Sequence, residues 1–320
     1  MTVETRPSPE AIRKARDDNP KMRERDLATQ LGISEAEFVA AWVGEGSRRI
    51  EPRVNEFLTG MEALGEQIDL RIFPRVWAHG FAVAKTDGDG QVRRSLQFFD
   101  SAGEAVHKVH LRDASDVAAY EALVEKLLSA DQSQTVDVKP AATPAANANA
   151  VTAQSDDLRD RWSKMTDVHQ FVTILRDLKL TRQQAVKLVG QDYAWPVDLD
   201  AVTAMMHHAA EQEIPIMCFV GNRGCIQIHS GPIAAVKPMG PWLNVMDPTF
   251  HLHLRVDHIR EAWVVRKPAT EGHVTSIEAY DAAGRMIIQF FGKRKEGSVE
   301  RDDWRLLAEN LPRLAQSTAA

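Results

Sequence analysis

Between Trp162 and Gly190 the chain carries two helical patterns in succession. Val168, Phe171, Val172, Leu175 and Leu178 recur at spacings of three and four residues, the period of one face of an α-helix. Thr166 or Asp167 stands where a cap belongs. A second helix is predicted from Thr181, with Gln184 at capping-box spacing, to a stop at Gly190. Pro9 to Gly44 is also helical in pattern. After Ile214 the period shortens, and IPIMCFVGNRGCIQIHSGPIAAVKPMGPWLNVMDPTFHLHLR reads as apolar strands broken by Gly-Asn, Gly-Pro and Asp-Pro turns.

The pattern repeats. Leu31 to Gly44 aligns with Leu178 to Gly190, placing Ser34 on Thr181 and Glu37 on Gln184. IDLRIF (Ile68 to Phe73) then matches FHLHLR, FAV matches WVV, and RSLQFFDSAG matches TSIEAYDAAG, in the same order. The expected fold is α+β: two tandem repeats, each an antiparallel β-sheet with flanking helices. The first copy lacks roughly thirty-five residues of the middle strands by this alignment, so its sheet should be smaller. Expected boundaries are an N-terminal repeat over 1–128, a linker over 129–157, and a C-terminal repeat over 158–320. The linker is rich in Ala, Pro, Asn, Gln and Ser and lacks periodicity, a composition that favours flexibility.

With 320 residues, 44% apolar and 26% charged, each copy has material for its own core. The net charge of −6 argues against a general nucleic-acid binder. Residues 27–42 resemble a helix-turn-helix, a distant alternative reading as a DNA-binding regulator. The would-be recognition helix, however, opens on Glu35 and Glu37 and has no Lys or Arg. The two cysteines, Cys218 and Cys225, lie in apolar surroundings and read as buried thiols. No membrane-spanning stretch or hydrophobic leader is visible, which gives a cytoplasmic expectation.

No nucleotide loop, cysteine zinc site or Gly-x-Ser-x-Gly elbow is present. His169 lies at the start of the first helix, where the amides favour a neutral imidazole able to ligate a transition metal or haem iron. His207 and His208 point about 100° apart on a helix and do not readily share one metal. His251 and His253 share one strand face, which suits a metal better, but no carboxylate or cysteine pattern accompanies them and the sequence does not point to a dedicated metal site there. His229 reads as a core or turn histidine. Arg182, Lys267, Gln289 and Arg294 each read singly as a solvated group at a strand end or turn, yet together could hold a dianion beside His169.

TDVHQF, GNRGCIQIHSGP, GPWLNVMDPTFHLHLR, AWVVRKP and FFGKRKEG closely resemble the bacterial hemin-degrading and haem-trafficking family of HemS, ChuS, HmuS and PhuS. The resemblance implies one haem, taken as haem b, held between two repeats. It implies His169 as proximal iron ligand, Arg71 as distal arginine with Phe73 near the macrocycle, and Arg182, Lys267, Gln289 and Arg294 at the propionates and pocket. The family's first repeat has its own middle strands, which are absent here, and Arg71 is the carry-over that depends on them if they scaffold the distal side. At the place of His169 the first copy has Met22, giving one histidine site. Two functions follow from the resemblance: a cytoplasmic carrier passing haem to a downstream acceptor, or a heme oxygenase-like enzyme that uses Arg71 and an external reductase. A haem-uptake transporter or a heme oxygenase is the implied partner of a carrier.

Overall fold

The computed structural model describes residues 6–53, 69–139, 151–295 and 298–314. They divide into two units. The first is Met1–Gly65, Leu70–Pro144 and Asn222–Ile226; the second is Glu66–Asp69, Ala145–Gly221 and Gln227–Ala320.

In the first unit, α1 (Pro9–Asp18), α2 (Glu24–Gln30) and α3 (Glu35–Ala40) precede β1 (Ser47–Ile50), and β2 is Asp69–Ile72. Then come β3 (His79–Thr86), β4 (Val92–Phe99), β5 (Ala105–His110) and α4 (Val117–Leu127). The sheet has the antiparallel order β1-β3-β4-β5. Ser34 and Glu37 form the capping box expected for α3. Apart from Glu37, every residue of α3 is buried, so the helix faces the core and cannot enter a nucleic-acid groove. Residues 222–226 belong to this unit: Asn222 Nδ2 donates to the Val106 carbonyl at 2.8 Å, and the Trp77 indole donates to the Gly224 carbonyl at 2.9 Å.

The second unit opens with α5 (Val151–Ser163), α6 (Gln170–Leu178) and α7 (Arg182–Leu188). β6 (Ala194–Val197) and α8 (Asp200–Glu211) follow, then β7 (Ile216–Gly221), β8 (Cys225–Gly231), β9 (Val236–Met239), β10 (Trp242–Met246) and β11 (His251–Arg255). β12 (Glu261–Pro268), β13 (His273–Tyr280), β14 (Met286–Gly292) and α9 (Asp302–Glu309) close it. The main sheet runs β8-β7-β14-β13-β12-β6, and β11-β10-β9 form a separate three-stranded sheet. Its core joins Met205 and Met206 of α8, Leu243 and Val245 of β10, Phe290 of β14 and Trp304 of α9. Cys218 and Cys225 are buried, reduced thiols.

The duplication is present element for element. α3 matches α7, β1 matches β6, and β3-β4-β5 match β12-β13-β14; even the register shift near the end of β4 recurs in β13. The turns also match. Gly103 and Gly284 both sit at positive φ, and a Cβ on either would strike the neighbouring helix's Ser34 or Gln183 at 2.2 Å, so only glycine fits. Among the described residues of the first unit there is no counterpart of β9 or β10, as the shorter first copy predicts. β2, the sequence match of β11, therefore has no hairpin partner of that kind among the described residues.

Of the expected linker, residues 140–150 lie outside the described residues. The preceding part is held to the first unit, with Gln134 donating to the Val43 carbonyl at 2.9 Å and Val136 buried. The last part begins α5 at Val151.

Candidate functional site

Helix α6 buries Phe171, Ile174 and Leu178. Val172, expected on the buried stripe, is 66% exposed, and Ile174 takes the inward place beside Phe171 and Leu178. Val172 is three residues after His169, which puts both on the outer face. His169 is the residue that caps α6, with no side-chain cap bond of its own. The Asp167 carboxylate accepts from the His169 backbone N–H and contacts its ring Nδ1, both at 2.8 Å. An ionised carboxylate only accepts, so Nδ1 carries a proton and Nε2 is the basic nitrogen of the neutral ring. The His169 amide, then its ring, hold the Asp167 carboxyl below the ordinary range against slight burial, and Arg294 adds to the effect. The pattern offers Thr166 or Asp167 as the cap, whereas His169 takes that place; the contact of Asp167 with the ring has its sequence signal in the Asp-x-His spacing.

His169 and Arg294 line one depression with Thr270, Glu271, His273 and Glu300. The Arg294 Nε is buried and has no hydrogen-bond partner among the described residues. A cation left in that state is suited to an anionic group entering the depression.

The other three predicted contacts converge on a residue that the sequence reading missed. Glu278 of β13 is fully buried. It accepts from Arg182 at 2.9 and 3.2 Å, Lys267 at 2.9 Å, Gln289 at 2.7 Å, Ser276 at 2.9 Å and Tyr280 at 2.5 Å. Burial alone would raise its pKa; the Arg182 and Lys267 charges outweigh it and hold the carboxyl well below the ordinary range. Burial pushes the Lys267 ammonium down to about 8, against the pull of Glu278. Lys267 and Gln289 are buried, whereas the Arg182 side chain keeps a quarter of its surface exposed. These three groups thus surround a carboxylate rather than opening as expected toward an external dianion. A buried charge requires such partners. The available signal was a carboxylate inside TSIEAY, a strand otherwise patterned for full burial. Arg182 and Lys267 also flank the Phe171 ring at 5.0 and 5.1 Å, linking this cluster to the helix that His169 begins.

Arg71 and Phe73 belong to the first unit. Arg71 is exposed on β2 and donates to the Leu70 carbonyl at 3.4 Å. Phe73 is 42% exposed, and its N–H donates to the Gly224 carbonyl at 2.9 Å. His207 and His208 lie on α8, and His229 stacks on Phe250 at 3.8 Å. No three His, Cys or carboxylate side chains converge as a metal set among the described residues.

Residues 60–127 and 179–311 match the family described as Haemin-degrading HemS.ChuX domain. The chain belongs to that family. Over 96% of both chains it is 36% identical to the hemin transport protein HmuS of Yersinia pestis. Among solved structures, it matches the holo form of PhuS, a heme-binding protein from Pseudomonas aeruginosa, with a TM-score of 0.89 and 38% identity over 96% of this chain and all of that one. It also matches the heme-degrading enzyme ChuS of Escherichia coli O157:H7, with a TM-score of 0.84 and 34% identity over 93% of this chain and 97% of the other. This member of the HemS/ChuX family therefore has relatives on both sides of the division between haem transport and haem degradation. No helix among its described residues is long and apolar enough to cross a membrane.

Proposed function

We propose that this chain is a cytoplasmic carrier that binds one haem b as cargo and passes it to a downstream acceptor. The observation that carries this reading is the His169 imidazole, held through Nδ1 by Asp167 and set beside the buried, unpartnered Nε of Arg294. The residues fit haem. His169 Nε2 is the ring nitrogen that would meet haem iron, exposed Val172 offers apolar surface, and Arg294 suits a propionate. In this reading Arg182, Lys267 and Gln289 hold Glu278 and so brace α6, with the exposed part of Arg182 adding positive charge near the cargo. Arg71 and Phe73 are assigned to the distal side. Similarity to ChuS supports a second reading, oxidative ring opening with Arg71 as distal donor and electrons from an external reductase.

Hemin titration followed by a reductant under air tests both readings. In His169→Ala the haem affinity falls most among single histidine variants and the Soret band shifts. In Asp167→Asn the affinity falls by about 10–100-fold, the scale for a group orienting a metal-ligating histidine. Wild-type affinity and spectrum in His169→Ala would refute the site. A haem complex that survives the reductant supports carriage; loss of the Soret band with a biliverdin-like product establishes the enzyme.

A further inference from the structure

The outer face of the three-stranded sheet carries metal-ligating chemistry that the haem reading does not use. His251 and His253 are exposed on β11, while Leu252 and Leu254 between and beyond them are buried. Directly opposite His251 on β10 is Met246, 42% exposed, and directly opposed residues of an antiparallel pair share a face. Opposite His253 is Asn244, 4% exposed. Its amide nitrogen donates to the Lys237 carbonyl at 3.3 Å, which turns its oxygen toward His253 Nδ1 at 2.6 Å. That oxygen accepts only, so His253 Nδ1 carries the proton and Nε2 is the basic nitrogen. A hydrogen bond that fixes the tautomer in this way is the usual support of a metal-ligating histidine.

We propose that His251, His253 and Met246 form a binding site for one soft monovalent metal ion, with cuprous copper as its natural class. The donor set and its surroundings select that ion. The two imidazole ring centroids are 6.5 Å apart, the spacing of two residues along a strand, so the rings stand side by side on the outer face. Two imidazoles with a thioether form a soft donor set that suits Cu(I). Exposed Lys237, paired in register with Asn244, places an ammonium on the same face, which penalises a divalent ion more than a monovalent one. No carboxylate joins His251 and His253 in a three-ligand set among the described residues. Arg255 farther along the strand is engaged by Asp257 at 2.6 and 2.7 Å.

The test is an anaerobic titration of the haem-free full-length chain with Cu(I) against a chromophoric Cu(I) chelator. One Cu(I) per chain is expected at this site. His251→Ala and His253→Ala should each weaken it at least about tenfold, and Met246→Leu, a swap of similar volume, should weaken it by less. His169→Ala should leave Cu(I) affinity as in wild type, and His251→Ala should leave hemin affinity as in wild type, which separates this site from the haem reading. Wild-type Cu(I) affinity in the folded double variant His251→Ala/His253→Ala, checked by circular dichroism, overturns the proposal. Zn(II) binding tighter than Cu(I) at these residues overturns the choice of ion.

Discussion

His169 and His253 are each held through Nδ1 by a side-chain oxygen, and the acceptor differs. For His169 it is the carboxylate of Asp167; for His253 it is the amide oxygen of Asn244. Both leave Nε2 basic in the neutral ring, but only the carboxylate adds negative charge behind the ring and strengthens it as a ligand to ferric iron. The sequence identified His169 through its position at a helix start and its TDVH context. It could not show that Asp167 folds back onto the ring, because that depends on the backbone path from Asp167 to His169. Arg71 presents the opposite situation. It was legible as a motif residue, yet it lies exposed on β2, in a unit whose described residues include no counterpart of β9 or β10. We expect Arg71→Ala to reduce haem affinity by no more than about 1 kcal/mol, the scale of an exposed hydrogen bond. A hemin titration showing a larger loss would mean that the arginine is firmly placed, and would favour the enzymatic reading.

The two repeats place an ion pair in the same layer with the signs reversed. In the second unit Arg182, at the start of α7, pairs with Glu278 on β13; Gln289 on β14 completes the set. At the matching places the first unit has Glu35, Gln97 and Lys108, with Lys108 Nζ 2.7 Å from Glu35. The layer is thus an architectural feature of the fold, and in the second copy its strand carboxylate stabilises the cations that flank Phe171. Folding depresses the Glu278 pKa, so its contribution is present above the ordinary value of 4.5 and is lost as pH falls below it. The Lys267 pKa is lowered to about 8 from 10.5, so its buried ammonium costs stability below about 8, a cost relieved as pH rises toward 10.5. Glu278→Gln should lower unfolding stability by about 3–5 kcal/mol at pH 7 by stranding buried cations, with the gap narrowing as pH falls below 4.5. Urea midpoints for both proteins at pH 7 and pH 3.5 check this; equal midpoints at pH 7 would remove Glu278 from its central role.

Across the whole chain, the order of elements in the two copies and the reduced first sheet were legible because hydrophobic period and turn residues are local properties. The linker was legible only as composition. Its expected span of 129–157 includes residues that pack on the first unit and residues that begin α5, because Val136 and Gln134 find tertiary partners. The Ala-, Pro- and Asn-rich stretch 140–150 is the expected site of first cleavage in a brief limited digest. Cleavage within 151–163 ahead of it would contradict that expectation.

The α+β class, the duplication with its shorter first copy and the capping boxes at Ser34 and Thr181 were legible in the letters alone, which also put His169 forward as the candidate ligand. These follow from periodicity, from side chains that bond backbone within three residues, and from a motif of contiguous letters. Packing in three dimensions brings Arg182, Lys267 and Gln289 onto Glu278, puts an Arg294 nitrogen that is buried and without a hydrogen-bond partner among the described residues in the depression beside His169, and turns Val172 outward. Those outcomes depend on which strands become neighbours in the sheet and how far a helix rotates against it. Both are set by packing between residues up to about a hundred positions apart, which no local pattern encodes.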